Sequence, residues 1–275
     1  MKEEELHFLI FAALLAPPGL LIFGRMLLRI RANGGRVLTE RFGIPDLFMG
    51  FFLAGFFALG AMLSPPQSGP MPAASIMKVE EIINGAVSSL IMLSIVVGFL
   101  WAREISPTEL FGIRKLSFWR AALIGVLLVA AMFPILMLST VLTQMGMRGE
   151  AREQEVVQFF REAAGANQPL SIAAMYVMAV IVAPVVEEVI FRGYFYAVFK
   201  KWAGGFASLI FTAALFAVVH TNVAVLPSLM ILAVGLTLAY EWSGSILVPI
   251  AMHATFNGMQ LGMILMATSQ QQVPS

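Results

Sequence analysis

The sequence predicts an all-α fold, a polytopic membrane helical bundle of about eight transmembrane helices. Of its 275 residues, 59% are hydrophobic and only 12% are charged, which is far from the composition of soluble domains. The hydrophobic residues form long runs, and a helix needs about 20 apolar residues to cross a bilayer. Helices are the plausible form for such runs because lipid offers no hydrogen bonds to an open backbone.

The apolar runs give the order of the predicted spans. In the first span, Pro17, Pro18 and Gly19 should kink the helix or unwind one of its turns. The last three spans are joined by very short turns and should therefore be antiparallel neighbours. The eight spans cover residues 8–29, 46–63, 83–101, 121–142, 170–199, 204–219, 223–240 and 246–266.

Charged residues outside the spans predict the orientation. Five arginines between Arg25 and Arg41 form the densest basic cluster, and the positive-inside rule puts this cluster in the cytoplasm. The N-terminal MKEEELH is acidic, whereas a cleaved signal peptide begins with basic residues, so the first span should be retained. Residues 64–75, rich in proline and serine, should form an external loop. We expect an integral membrane protein of a prokaryotic plasma membrane.

The segment 149–165 between spans four and five predicts an amphipathic helix. Val156, Phe159, Phe160 and Ala163 fall at helical spacing, with charged residues on the other faces. Such a helix can lie on the outer membrane surface. The alternative is a packed surface helix with no specific ligand.

Composition also excludes several classes of partner and site. The net charge is +1 and the basic residues are spread between the spans, so no nucleic-acid partner is expected. Because cysteine is absent, disulfides, thiolate metal sites and a cysteine nucleophile are excluded. We divide the chain into N-terminal helices, residues 1–145, and a core that carries the chemical motifs, residues 146–275.

The stretch PVVEEVIFRGYF places three charges in an apolar span. Ionisable residues inside a membrane are costly and are functional candidates. Glu188 and Arg192 are four residues apart on one helix face and should neutralise each other. The pair is either a structural bridge or a support that orients Glu187. The carboxyl of Glu187 points elsewhere and, in a low-dielectric pocket, can exchange a proton near neutral pH.

Three further polar side chains lie within the apolar spans. FAVVH ends at His220, and AMHATFNG carries His253 and Asn257 on one face of span eight. Polar groups deep in a bundle face its interior, so spans five, six and eight can converge on one site. Taken singly, each histidine could be a hydrogen-bonded packing residue, and Asn257 could bond a neighbouring helix.

This constellation suits peptide hydrolysis, which needs an activated water, donors for the oxyanion and a proton for the leaving amine. Glu187 with His220 could activate the water. His253 with Asn257 could supply hydrogen bonds to the tetrahedral intermediate. The sole aspartate, Asp46, lies near the cytoplasmic end of span two, which excludes a paired-aspartate mechanism.

The motifs EEVIFRG, FAVVH and HATFN resemble the EExxxR, FxxxH and HxxxN signatures of the CAAX prenyl endopeptidase type II family, whose wider membership includes bacteriocin-processing enzymes. They occur in the expected order over residues 170–266. The resemblance implies an intramembrane endopeptidase whose site opens to the cytoplasm and acts on a peptide or prenylated protein substrate. It implies that Glu187 is catalytic with His220, that His253 and Asn257 form the oxyanion hole, and that Glu188 and Arg192 support the site.

Three alternatives stay open beside the expected metal-free mechanism. One glutamate and two histidines are a ligand set that hydrolytic zinc uses, although here they lie on three spans without HExxH spacing. A proton-coupled transporter could also use intramembrane glutamate and histidine residues, but it would need polar residues in both halves of the molecule. A bacteriocin-immunity scaffold that kept the fold is the third.

Overall fold

The computed structural model describes residues 3–63, 79–147, 155–166 and 168–271, and within these ranges the chain is helical and has no strand. The predicted all-α class is therefore confirmed. The predicted external loop, residues 64–75, and the start of the predicted amphipathic helix, residues 149–154, lie outside the described ranges.

The helices are numbered here in chain order, with the long helix of the EEVIFRG motif treated as one element. A 3₁₀ turn at Ile113–Lys115 lies between α4 and α5. The helices are α1 Glu3–Asn33, α2 Ile44–Leu63, α3 Val79–Ala102, α4 Pro107–Leu110, α5 Phe118–Gly146, α6 Glu155–Gly165, α7 Pro169–Ala203, α8 Gly205–Val218, α9 Leu226–Ser243 and α10 Leu247–Gln271.

Six of these helices, among the described residues, are long and apolar enough to cross a membrane: α1, α2, α3, α5, α7 and α9. The apolar helix α8 has 14 residues, or about 21 Å at 1.5 Å per residue, which is shorter than a bilayer core. Helix α10 has 25 residues but carries polar side chains that lower its hydropathy. With α8 and α10 the bundle has about the predicted number of long helices.

Helix α1 runs unbroken through Pro17 and Pro18, so of the two predicted outcomes, a kink or an unwound turn, the unwound turn is not observed. The physical reason is packing along α5. Gly19 lies so close to α5 that a Cβ atom there would overlap the carbonyl of Ala131. Contacts of this kind hold the helix in place where two backbone donors are missing.

The second half of α7 is the centre of the molecule, since every residue from 188 to 199 is buried. One apolar cluster packs this segment against α2, α3, α8 and α9. A second cluster joins α1, α5, α9 and α10. The segment of α7 that carries the charged motif is thus enclosed by other helices.

The amphipathic helix α6 packs into the bundle. Phe159, Phe160 and Ala163 are buried against α3, α7 and α10, where they meet Ile82 and Leu261. Of the two sequence interpretations, the packed surface helix is the one observed.

Candidate active site

Helix α7 contains two wide π-helical segments, Met178–Val182 and Val189–Tyr196, which the sequence analysis did not predict. Glu187 and Glu188 lie on the short α-helical stretch between them. Proline explains the first segment, because Pro184 has no N–H and its ring crowds the preceding turn. π segments are frequent at functional sites.

Glu188 and Arg192 form the predicted ion pair, with Nη1 of Arg192 donating to Oε1 of Glu188 at 2.8 Å. Both side chains are buried. The same Oε1 also accepts a hydrogen bond from Nδ1–H of His253 at 2.9 Å. Because a carboxylate only accepts, this contact places a proton on Nδ1 of His253. Glu188 therefore joins α7 to α10 and fixes the orientation of the His253 ring.

Glu187 faces the other ring nitrogen of His253. Its Oε2 lies 3.9 Å from Nε2, and its side chain is 29% exposed, whereas Glu188 is fully buried. Among the described residues, Oε2 of Glu187 has no hydrogen-bond partner. The Glu188 carboxylate is thus hydrogen-bonded within the site, whereas the neighbouring Glu187 carboxylate has a buried oxygen without such a partner.

His220 stands at the end of α8 and joins the group through Phe216. Its Nδ1–H donates to the Phe216 carbonyl at 2.7 Å. The Phe216 ring lies 4.8 Å from the His220 ring and 5.9 Å from the His253 ring. The guanidinium of Arg192 lies 4.3 Å from the same ring centroid, within cation–π range.

Asn257, one turn beyond His253 on α10, bonds the neighbouring helix α7. Its Nδ2–H donates to the Ala179 carbonyl at 2.8 Å. A backbone carbonyl accepts only, so the amide nitrogen must face it. The second N–H of the same amide group is not used by this contact.

A cavity of about 600 Å³ lies between α7 and α10, and none of Glu187, His220, His253 and Asn257 lines it. Its walls are mostly apolar, and several of its residues neighbour His253 and Asn257 in the chain. The lining residues are Tyr176, Val180, Ala254, Thr255, Gly258, Met259, Gly262, Met263 and Met266.

The residues present do not fit the zinc alternative. Among the described residues, no three histidine, aspartate or glutamate side chains are grouped so that they could hold a metal ion.

Two residues escaped the sequence analysis, Phe216 within the site and Glu241 outside it. The sequence analysis quoted Phe216 as part of the FxxxH motif but assigned it no role, although its position four residues before His220 puts it on the same helix face. Glu241 was overlooked near the end of α9, where it is buried. A lone carboxylate at the edge of an apolar run was the signal that could have marked Glu241.

Comparison with known proteins gives one match. Residues 169–259 match the model of the family described as type II CAAX prenyl endopeptidase Rce1-like. The match spans 91 of the 275 residues, about a third of the chain, and includes Glu187, His220, His253 and Asn257. No curated protein and no solved structure matched the chain in these comparisons. The match supports peptidase activity in a membrane.

Proposed function

We propose that the chain is an intramembrane endopeptidase in which Glu187 activates the water. The match of residues 169–259 to the model of the Rce1-like type II CAAX prenyl endopeptidase family supports this proposal. The supporting observation is that Oε2 of Glu187 is buried without a hydrogen-bond partner among the described residues and lies 3.9 Å from Nε2 of His253. A single water molecule could contact both atoms at this separation, since hydrogen bonds to water oxygen span about 2.7–3.0 Å.

In this proposal Glu187 accepts a proton from the water that attacks the peptide carbonyl and later returns it to the leaving amine. A positioned general base of this kind contributes about 10²–10⁴-fold in rate. The His220 ring has its Nδ1–H bound to the Phe216 carbonyl, so its Nε2 is the nitrogen left to assist. The half-buried location of His220 suits contact with an incoming peptide.

His253 and Asn257 supply hydrogen bonds to the oxyanion. Since Nδ1 of His253 donates to Glu188, its Nε2 can donate only when the ring is cationic. Glu188 holds the Nδ1 side of this ring, and Arg192 in turn holds Glu188 in place. Asn257 contributes the N–H that its bond to Ala179 leaves free. Donors aimed at developing charge give large rate effects, about 10²–10³-fold each.

The proposed substrate is a membrane-associated peptide, with prenylated CAAX-type sequences as the first class to test. The apolar walls of the cavity between α7 and α10 suit a hydrophobic chain beside the scissile bond. In the proposed orientation the site opens to the cytoplasm. The orientation follows from the arginines after α1, which the positive-inside rule puts on the cytoplasmic side of the membrane.

The direct test is cleavage of a farnesylated CAAX peptide by the detergent-purified protein, followed by mass spectrometry. We expect release of the C-terminal tripeptide by the wild type and at least a 100-fold loss in Glu187→Gln, because the amide cannot act as a base. Glu162→Gln changes an exposed carboxyl on α6 and should leave the rate unchanged. Equal rates in both variants would exclude Glu187 as the base, and intact peptide with folded wild type would exclude this substrate.

Metal removal gives a second prediction. Because the grouped side chains do not fit a metal ion, we expect the cleavage rate to survive dialysis against 1,10-phenanthroline and EDTA. Loss of the rate on chelation and its recovery with added zinc would contradict the metal-independent mechanism. A zinc peptidase assayed in the same detergent serves as the positive control.

A further inference from the structure

The first π segment of α7 leaves one backbone carbonyl without its usual donor. In an α-helix the Ala179 carbonyl would accept from the N–H of residue 183, and in a π-helix from that of residue 184. The N–H of Ala183 instead donates to Met178, and residue 184 is proline, which has no N–H. The Ala179 carbonyl must therefore accept its hydrogen bond from a donor outside α7.

Asn257 supplies that donor from α10. Its Nδ2–H reaches the Ala179 carbonyl at 2.8 Å. A carbonyl that loses water and gains no other donor is destabilising, so this contact stabilises the wide turn.

The wide turn matters for the site because it changes the direction in which the later side chains of α7 point. One extra residue in a helix of 3.6 residues per turn rotates the later side chains by about 100° relative to the earlier ones. Glu187 and Glu188 come directly after this turn, and both face His253 of α10.

We propose that Asn257 is a positioning residue for α7: its amide replaces the N–H that Pro184 lacks and stabilises the wide turn that aims Glu187 and Glu188 at His253. This role is additional to the proposed oxyanion contact, since the amide has two N–H groups. The inference rests on the proposed function only in treating the two glutamates as site residues.

The first test is a coupling experiment between Pro184 and Asn257, read as thermal unfolding in detergent. Asn257→Ala should lower the unfolding midpoint in the wild-type background. In a Pro184→Ala background the new N–H can serve Ala179, so the same substitution should lower the midpoint much less. Thr255→Ala is the matched control, because the Thr255 hydroxyl bonds Ala251 within α10. It should have the same effect in both backgrounds.

The second test reads the position of Glu188 without any substrate. The chain has three histidines, so the imidazole ¹⁵N signals of labelled protein in detergent can be assigned by single substitutions. We expect the hydrogen-bonded Nδ1–H signal of His253 to be displaced in Asn257→Ala and unchanged in Thr255→Ala, because relaxation of the wide turn rotates Glu188 away.

The two readouts decide the inference separately from peptide cleavage. Equal loss of stability in both backgrounds, or an unchanged His253 signal in Asn257→Ala, would overturn it, even if the enzyme cleaves peptides. If Asn257→Ala does not fold, recovery of folded protein in the double variant Pro184→Ala/Asn257→Ala supports it, and no recovery overturns it. A folded wild type that leaves the CAAX peptide intact would exclude the proposed substrate and would not change either readout of this inference.

Discussion

At the residue scale, Glu188 carries the largest share of polar contacts in the site. One of its oxygens accepts from both Arg192 and His253, so a single carboxylate connects α7 with α10. Phe216 completes this arrangement by packing its ring against Arg192 and both histidines. Burial makes these contacts strong and also makes the loss of any partner costly.

Glu188→Gln should therefore destabilise the protein by about 3–5 kcal/mol, because it leaves the buried Arg192 charge without a counter-charge. We expect a lower unfolding midpoint in detergent and loss of peptide cleavage together. Glu162→Gln on the exposed face of α6 is the control. An unfolding midpoint equal to that of the control would show that the buried pair does not stabilise the fold.

At the element scale, α7 departs from a regular helix where the site requires it. Its second π segment contains Arg192 and Gly193 and is buried throughout. Packing explains why residue 193 is a glycine, because a Cβ atom there would lie 2.8 Å from Cε1 of Phe111 in the loop after α4. The segment between α3 and α5 thus packs directly against the helix that carries the charged motif.

Gly193→Ala should cost about 1–3 kcal/mol, the usual range for overpacking a filled core. Gly98→Ala on α3 is a matched control, since a Cβ atom there would meet nothing within 4 Å. Because alanine is about 1 kcal/mol better than glycine in a helix, the control should be as stable as the wild type or more stable. Thermal unfolding of both variants tests the prediction, and equal midpoints would contradict it.

At the scale of the whole molecule, Glu241 connects three distant parts of the chain. Its Oε1 accepts from the Tyr196 hydroxyl at 2.8 Å and contacts Nζ of Lys200 at 2.5 Å. Its Oε2 accepts from the backbone N–H groups of Arg36 at 2.8 Å and Val37 at 3.2 Å. The loop between α1 and α2 is thereby fixed to the end of α7 and to α9.

Glu241→Ala should destabilise the fold by about 3–5 kcal/mol, because a buried ammonium and several N–H and O–H donors lose their acceptor together. Glu40→Ala, in the same loop and exposed, should change little. We expect thermal unfolding in detergent to separate the two variants clearly. Similar midpoints would mean that solvent replaces the lost acceptor and that the loop is not held by Glu241.

The division of the chain at residues 145 and 146 stays a prediction. Core contacts join α1 and α5 to α9 and α10, so parts of the first four spans pack on the motif-bearing helices. Lys200 and Lys201 at the end of α7 also bind carbonyl groups of the loop that follows α1: Val37, Glu40 and Phe42.

The sequence by itself determined the helical membrane class, because long apolar runs in a lipid solvent allow little else. It also determined the pairing of Glu188 with Arg192, which depends only on helical spacing. It placed the polar residues of α7 and α10 on their helices and His220 close to the end of α8, and its motifs resemble those of the family whose model matches residues 169–259.

Tertiary structure alone decided the rest. Which ring nitrogen of His253 faces Glu188 and which faces Glu187 depends on how α7 and α10 are rotated against each other. The unbroken course of α1, the packed face of α6 and the contacts of Glu241 likewise depend on neighbours distant in the chain. Periodicity describes one helix at a time, so contacts between helices are settled only when their side chains pack together.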